Sequence, residues 1–371
     1  MTLLLFVLVL SFLIIIHELG HFIMAKRAKI KVFEFGLGYP PRAIKLFTWQ
    51  GTDFTLNWIP FGGFVKMEGE EGEAEGETKR PTAFSEKSTL ERLSVILAGV
   101  TVNFLFGVIA FATVFSFMGI PYLVDQPRIG SVNPDSPAAA AGVPTQVNIL
   151  GFKIGDETIT TTSSTEVRDV VESNQGQSVT VLTTGSCTEL SCEERLQEFP
   201  LTIRNRGETP ANQGLLGVTF APVVEYQFYP PYEMPFRGMW YGIQQALGLG
   251  LLIIQSLGDL ITGLFTRGTV PAELSGPVGI YDQTEKSGVF NQGFLAILNY
   301  TGILSINLAI MNLLPIPALD GGRALFILIE KIVGKGKVAR VEQIVNASGM
   351  AMLLGLILLI TARDVWRIFQ S

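Results

Sequence analysis

The chain has 371 residues, of which 48% are hydrophobic and only 16% are charged, and its net charge is -6. So apolar a composition is high for a soluble protein and is typical of a membrane protein. No basic stripe is available to neutralise phosphates, which argues against nucleic acid as a partner.

Four apolar stretches come near the ~20 residues that a spanning helix needs, and they begin at Leu3, Leu93, Phe294 and Ala347. No positive charge precedes the first and no small-residue cleavage site follows it, so we expect a retained span rather than a cleaved signal peptide. Residues 25–92 carry eleven Lys and Arg. This excess places the segment in the cytoplasm and the N-terminus outside.

The cytoplasmic segment contains a predicted β-hairpin. Residues 45–67 read as two strands around a turn at Gln50 to Thr52, followed by the glycine pair Gly62 and Gly63. The glutamate-rich run after Met67 predicts a solvated loop, to which we assign no chemistry.

The second span, Leu93 to Met118, leads into a polar insert that extends to about residue 235. Its short alternating pieces predict a small β domain with one helix at residues 164–173, where Ser163 and Glu166 fit a capping box. Cys187 and Cys192 lie in this insert. They either close a small disulfide loop or remain unpaired thiols.

Residues 236–265 allow two interpretations, because one helical face is apolar and the other is polar. If this helix spans the membrane, the helix from Phe294 runs outward; if it does not, that helix runs inward. Five basic residues follow Asp320 closely and favour the inward direction: Arg323, Lys331, Lys335, Lys337 and Arg340. We therefore predict four transmembrane helices, with 236–265 as an interfacial or partly inserted helix.

The chain has only two histidines, and both lie in the first span, within "LIIIHELGHFIMAKR". His17 and His21 are four residues apart and share a helical face, with Glu18 beside them. Counting about 1.5 Å per residue, His17 lies about 20 Å into a core about 30 Å thick, where ionisable groups are costly unless paired or functional. We therefore favour a shared metal ion over a structural polar cluster.

Catalytic zinc takes three protein ligands and keeps one open position. Because no third histidine exists, the candidate is Asp320 in "NLLPIPALDGGRALF". Pro315 and Pro317 break the helix there, and Gly321 and Gly322 allow a tight turn. Zinc suits two imidazoles and a carboxylate, while ferrous iron and cobalt remain alternatives.

The motifs "HELGH" and "NLLPIPALDGG", in this order, resemble the site-2 protease family of intramembrane zinc metalloproteases, in the bacterial form that cleaves anti-sigma factors. "ELSGPVGI" and the PDZ-like "GSVNPDSPAAAAGV" with "GFKIGDETIT" extend the resemblance over most of the chain. It implies a multi-pass endopeptidase of the bacterial inner membrane, with the N-terminus and PDZ domain outside. Its expected substrates are single-span proteins such as anti-sigma factors or remnant signal peptides.

The resemblance implies His17, His21 and Asp320 as zinc ligands and Glu18 as the residue that activates water. We weigh this enzyme against a catalytically silent scaffold that binds partners through its PDZ domain, and against a transporter. The complete set of four residues argues against the scaffold. The lack of paired broken helices argues against the transporter.

The resemblance also places the hairpin in the membrane near the active site, with Gly62 and Gly63 as candidate substrate-handling residues. Its edge would take an unwound substrate as an added strand; an ordinary cytoplasmic hairpin is the alternative. Asn312 and Asn307 in the third span are further candidates for substrate handling, against interhelical hydrogen bonding. Asn103 in the second span is interpreted as structural.

The predicted domains are 1–118 (first two spans, HExxH motif and hairpin), 119–225 (PDZ-like domain), 226–292 (interfacial helix and linker) and 293–371 (last two spans with the LDG motif). Two features depart from the family. "AGVTVNF" lacks the family's frequent proline, and "GDETITTTSSTE" lacks the Asn–Gly turn of a typical PDZ domain. The sequence leaves open whether the PDZ groove binds peptide C-termini or the domain acts as a size filter.

Overall fold

The computed structural model describes residues 1–70, 80–184, 187–188, 191–192, 196–210, 213–267 and 276–370. The first half contains α1 (Thr2–Arg27), β1 (Val32–Trp49), β2 (Thr52–Met67), α2 (Thr89–Met118), β3 (Ile120–Val124), β4 (Ile129–Val132), α3 (Pro137–Ala140), β5 (Ile149–Ile154), β6 (Glu157–Thr160), α4 (Ser164–Ser173) and β7 (Ser178–Thr183). The second half contains β8 (Cys187–Thr188), β9 (Ser191–Cys192), β10 (Gln197–Thr202), β11 (Val218–Phe220), β12 (Val223–Gln227), α5 (Met234–Arg267), α6 (Pro277–Ser287), α7 (Phe294–Leu313), α8 (Asp320–Val333) and α9 (Lys335–Gln370).

The chain divides into two compact units. One unit combines Met1–Gly119 with Tyr229–Ser371, and the other is Ile120–Phe228. Five described helical segments are long and apolar enough to cross a membrane: Thr2–Arg27, Thr89–Met118, Met234–Leu260, Phe294–Leu313 and Val341–Arg367. The four stretches predicted to span are therefore helical, and α5 also has the length and composition of a span.

Small residues let the helices of the first unit approach closely. A Cβ on Gly20 of α1 would lie 2.6 Å from the backbone oxygen of Ala98 in α2, and one on Gly107 of α2 would lie 2.5 Å from the Ile306 side chain in α7. No real Cβ tolerates such distances, so these glycines permit the contact. Lipid tails are as apolar as the helix surfaces, so the hydrophobic effect does not drive helices together in a membrane. Close backbone approach supplies van der Waals packing energy instead.

The contacts along α2 fix the direction of its neighbours. Gly238 of α5 lies against Ser116, near the end of α2, and Gly242 lies against Val108, so α5 runs antiparallel to α2. Gly302 of α7 likewise lies against Phe111, and Ser305 of α7 donates a hydrogen bond to the backbone oxygen of residue 103. Helices α5 and α7 therefore run in the same direction.

The predicted hairpin is present, and it forms four paired segments where the sequence predicted two strands. The turn lies at Gln50 and Gly51, both with positive φ. Each long strand bends, so that Phe35 pairs with both Val65 and Phe54, and Phe54 pairs with both Phe35 and Phe47. The result is a four-segment antiparallel sheet in the order 62–67, 32–39, 52–59, 42–49.

Aromatic rings attach this sheet to the end of α1. The Phe22 ring meets those of Phe35 and Phe54 at centroid distances of 5.6 Å in both cases. Rings from the sheet and from α1 thus form one core, because aromatic pairs bury large apolar area in edge-to-face contacts. Segments 42–49 and 52–59 instead expose large apolar side chains: Ile44, Leu46, Phe47, Trp49, Trp58 and Ile59.

The glutamate-rich run is described only at its ends, because residues 71–79 lie outside the described residues. Glu68 accepts hydrogen bonds from the Thr82 hydroxyl at 2.5 Å and from the Arg80 guanidinium at 2.9 Å. These bonds hold the pKa of the Glu68 carboxyl below its usual value. Glu70 is also paired, as described below, so at least the first part of the run has a structural role that we did not predict.

The second unit is the predicted small β domain. Its main sheet is antiparallel in the order β10-β7-β5-β6, and its core is built around Phe152, with Ile129, Ile149, Val167 and Val181 among its fully buried members. Ser163 caps α4 by accepting from the Glu166 amide, while the Glu166 carboxylate accepts from the amide of Thr162 instead of Ser163.

The two cysteines lie directly opposite each other, since Cys187 of β8 pairs with Cys192 of β9. The disulfide itself stays a prediction.

Candidate metal centre

Helix α1 presents both histidines to one point. His17 and His21 lie one turn apart and both are buried, and their Nε2 atoms are 3.2 Å apart. Asp320, the first residue of α8, places Oδ2 3.1 Å from Nε2 of His17 and 3.3 Å from Nε2 of His21. The three ligand atoms lie within 4.8 Å of one another, and among the described residues no other group of three His, Cys, Asp or Glu side chains converges in this way.

The sequence between α7 and α8 explains how Asp320 arrives there. Helix α7 ends at Leu313, and the chain turns through six residues in which Ala318 has a positive φ. A Cβ on Gly321 would lie 2.1 Å from the oxygen of Leu313, so only glycine allows α8 to start directly beneath the end of α7. Residues 314 and 316–319 of this turn are half-buried, and Pro315 is exposed.

The three residues fit a zinc ion. Oδ2 of Asp320 is buried and has no hydrogen-bond donor among the described residues, so its lone pairs point at the two imidazoles. Nδ1 of His21 lies 2.8 Å from the backbone oxygen of Val95, to which it donates when protonated. That bond fixes the tautomer whose Nε2 is free to bind a metal. Two imidazoles and one carboxylate form a known catalytic zinc set.

Helix α2 lines the site with Gly99, which was not among the predicted site residues. A Cβ on Gly99 would lie 2.5 Å from Nε2 of His21 and 2.8 Å from Nε2 of His17, which is the space between the ligand atoms. The neighbouring Gly20 of α1 lets this part of α2 come close. The small residues Ala98 and Gly99 in "LAGV" were a sequence signal for this close approach, because small side chains let two membrane helices touch.

Glu18 lies on the same turn as the histidines and is half-buried. A Cβ on Gly63 would lie 2.9 Å from Cγ of Glu18 and 3.3 Å from Cγ2 of Ile14, so residues 62–67 of the sheet pass directly beside Glu18. Gly62 next to it has a φ of 85°. The structure thus brings the glycine pair to the site.

The three predicted asparagines lie in different surroundings. Asn307 is exposed on α7 and Asn312 is half-buried near the end of α7. Within the described part of the chain, neither is hydrogen-bonded to His17, His21 or Asp320, so their substrate-handling roles stay predictions. Asn103, interpreted from sequence as structural, has its carboxamide 3.2 Å from Nδ1 of His17.

Two ion pairs hold α8, and neither was predicted from the sequence. Arg323, one turn after Asp320, donates to Glu70 at 2.7 Å, and the other oxygen of Glu70 accepts from the amide of Met67. Near the far end of α8, both oxygens of Glu330 lie 2.9 Å from Nη1 of Arg92 in α2. The helix that carries Asp320 is therefore tied to the sheet and to α2.

Comparisons with known proteins point to a metalloprotease. The family model of peptidase family M50 matches residues 5–356. The zinc metalloprotease RasP of Oceanobacillus iheyensis is 30% identical over 99% of each chain, and RasP of Geobacillus kaustophilus is 29% identical over 98% of this chain and 97% of its own. The regulator of sigma E protease of Haemophilus influenzae is 27% identical over 98% of each chain.

Replacement of Gly99 by alanine tests the lining of the site. We expect Gly99→Ala to weaken zinc binding at least about tenfold, since its Cβ occupies the space between the ligand atoms. Gly355→Ala in α9 is the matched control, because a Cβ there meets no atom within 4 Å. Zinc affinity of the purified proteins is measured by chelator competition, and equal affinities would contradict this geometry.

Removal of the carboxylate tests the third ligand. We expect Asp320→Ala to lower the zinc content from about one ion per chain to a small fraction after dialysis, because two imidazoles alone hold zinc weakly. Asp169→Ala, which changes an exposed carboxylate on α4, should keep its zinc. Unchanged zinc in Asp320→Ala would place the third ligand elsewhere.

Proposed function

Because this chain belongs to peptidase family M50, the site-2 proteases, and is a zinc metalloprotease, we propose that it cuts single-span membrane proteins within the membrane. His17, His21 and Asp320 are the proposed zinc ligands. The convergence of their three ligand atoms within 4.8 Å carries the proposal. Cleavage within the membrane is supported by helix α1, which bears both histidines and is long and apolar enough to span.

A zinc ion held by these ligands supplies a Lewis acid that polarises the scissile carbonyl and makes water nucleophilic near neutral pH. The proposed role of Glu18 is that of general base. Its carboxylate accepts a proton as water adds to the carbonyl carbon, and it returns that proton to the nitrogen as the C–N bond breaks. Glu18 suits this role because it stands beside the histidines without being a ligand.

The proposed substrate platform is the sheet segment 62–67. It forms one of the two edges of the four-segment sheet, and among the described residues no strand pairs with its outer side. A substrate helix shields its peptide bonds by its own hydrogen bonds, so it must unwind to be cut. An extended substrate segment added as a strand at this edge would form backbone hydrogen bonds with the sheet. It would lie close to Glu18 where it crosses Gly63.

We propose four spans, with α5 only partly inserted. Consecutive spans must run in opposite directions, yet α5 and α7 both run antiparallel to α2. Helix α6 between them has 11 residues, too few to return the chain across about 30 Å. Helix α7 then runs inward, which puts the end of α8 and the basic residues after Asp320 on the cytoplasmic side.

The same topology places the N-terminus and the β domain outside the bacterial inner membrane, with the bilayer as the protein's surroundings. Anti-sigma factors and remnant signal peptides are the proposed substrates; a relative carries the name regulator of sigma E protease. For the β domain we propose a PDZ-like role, either binding of peptide C-termini or size filtering of substrates. The complete set of ligands around Glu18 argues against a catalytically silent scaffold.

Replacement of Glu18 by glutamine separates catalysis from metal binding. We expect Glu18→Gln to keep its zinc and to slow cleavage of a tagged single-span substrate in detergent about 100- to 10,000-fold, because the base is lost and no ligand is. Glu157→Gln, on an exposed strand of the β domain, is the matched control. Normal cleavage by Glu18→Gln at equal zinc content would refute the assigned role.

Two introduced cysteines test the topology, in a background with Cys187 and Cys192 replaced by serine. Ile332→Cys lies at the exposed end of α8 (85% exposed), and Glu157→Cys lies on the β domain. The cells are used with the inner membrane intact and the outer membrane removed. We expect a membrane-impermeant maleimide to label Glu157→Cys and not Ile332→Cys. Labelling of Ile332→Cys before permeabilisation would overturn the four-span topology.

A further inference from the structure

Asn103 is a buried polar residue whose bonding is incomplete as it stands. Its side chain lies in α2 and is 0% exposed. The carboxamide nitrogen is 3.2 Å from Nδ1 of His17, while the carboxamide oxygen has no hydrogen-bond partner among the described residues. A buried oxygen without a donor costs free energy, so the arrangement calls for an explanation.

The chemistry of a metal-bound histidine supplies one. When His17 binds zinc through Nε2, its single remaining proton is on Nδ1, which is then a donor and needs an acceptor. A carboxamide nitrogen is a donor as well, so it cannot satisfy Nδ1–H. A half-turn of the Asn103 carboxamide exchanges its oxygen and nitrogen without changing its shape. The oxygen then faces Nδ1–H and gains its donor.

We propose that Asn103 is a positioning residue for the metal centre: its carboxamide oxygen accepts from Nδ1–H of His17 and fixes the tautomer and orientation of that ring. This inference rests on the proposed function, in which His17 is a zinc ligand. It assigns to Asn103 a role towards His17 that matches the role of the Val95 carbonyl towards His21.

The placement of these partners along α2 supports the proposal. Val95, Gly99 and Asn103 are spaced four residues apart and so lie on one face of α2. Val95 holds the outer nitrogen of His21, Gly99 leaves room for the ligand atoms, and Asn103 reaches the outer nitrogen of His17. One stripe of α2 therefore serves both histidines of α1.

Asn103 is itself held in place. The hydroxyl of Ser305 in α7 donates to the backbone oxygen of Asn103 at 2.8 Å, and Ser305 is 0% exposed. The carboxamide thus projects from a fixed backbone. Partners of this kind typically contribute about 10- to 100-fold to metal affinity, because a freely rotating ring or a wrong tautomer must otherwise be corrected on binding.

The test compares three variants with the wild type in detergent. Asn103→Leu removes the acceptor and keeps the branching at Cγ and the number of side-chain heavy atoms. Asn103→Asp keeps an acceptor oxygen, and Thr101→Val changes an exposed hydroxyl of the same helix as the control. Zinc affinity is measured by chelator competition. We expect about 10- to 100-fold weaker binding for Asn103→Leu, and values within about threefold of wild type for the other two.

A second readout separates this role from general destabilisation. The chain has two histidines, so histidine labelled with ¹⁵N in the ring gives only four nitrogen signals. In the zinc-loaded protein, Asn103→Leu should shift or lose the Nδ1–H signal of His17 and leave that of His21 unchanged, since Val95 is intact. Asn103→Asp should keep both signals.

The outcomes distinguish the inference from the proposed function. If wild-type zinc binding does not depend on His17 and Asp320, both fall together. If it does, and Asn103→Leu binds zinc as the wild type does, only the inference is overturned. Loss of affinity in Asn103→Asp equal to that in Asn103→Leu would likewise overturn it, because an acceptor would then be irrelevant.

Discussion

The structure depends on the cost of putting two imidazoles and a carboxylate into an apolar surrounding. Each of these groups loses its water there, and a single shared partner is the least expensive way to compensate all three. His17, His21 and Asp320 meet within 4.8 Å because helix α1 supplies one turn and α8 starts at the right depth. Most other features of the first unit serve to bring those two helices together.

Glycine is the main means of doing so. Gly20 and Gly99 bring α1 and α2 within backbone contact, and Gly321 lets α8 begin under the end of α7. At each position a single methyl group would collide with backbone or with a histidine nitrogen. Because lipid tails give helices no hydrophobic reason to associate, such close packing has to supply much of the attraction. The same glycines therefore stabilise the unit and shape the candidate metal centre.

The sequence predicted those parts that depend on local spacing. The turn bearing both histidines, the broken helix before Asp320 and the hairpin turn at Gln50 each follow from residues close in the chain. The pairs Arg323–Glu70 and Arg92–Glu330 join residues 253 and 238 positions apart, and nothing local marks them. The contact of Asn103 with His17 could not be read from the sequence for a related reason, since His17 lies on another helix.

The two ion pairs lie where α1, α2, α8 and the sheet share one core, which includes Phe22, Phe35, Val95 and Ile327. On this side the helix bearing Asp320 is held by charge pairs and by packing, and the sheet segment beside Glu18 belongs to the same core. A peptide added at that edge, as proposed, would consequently meet a surface that is already in place. Preorganisation of this kind would lower the cost of ordering the substrate strand, because only the substrate would then lose conformational freedom.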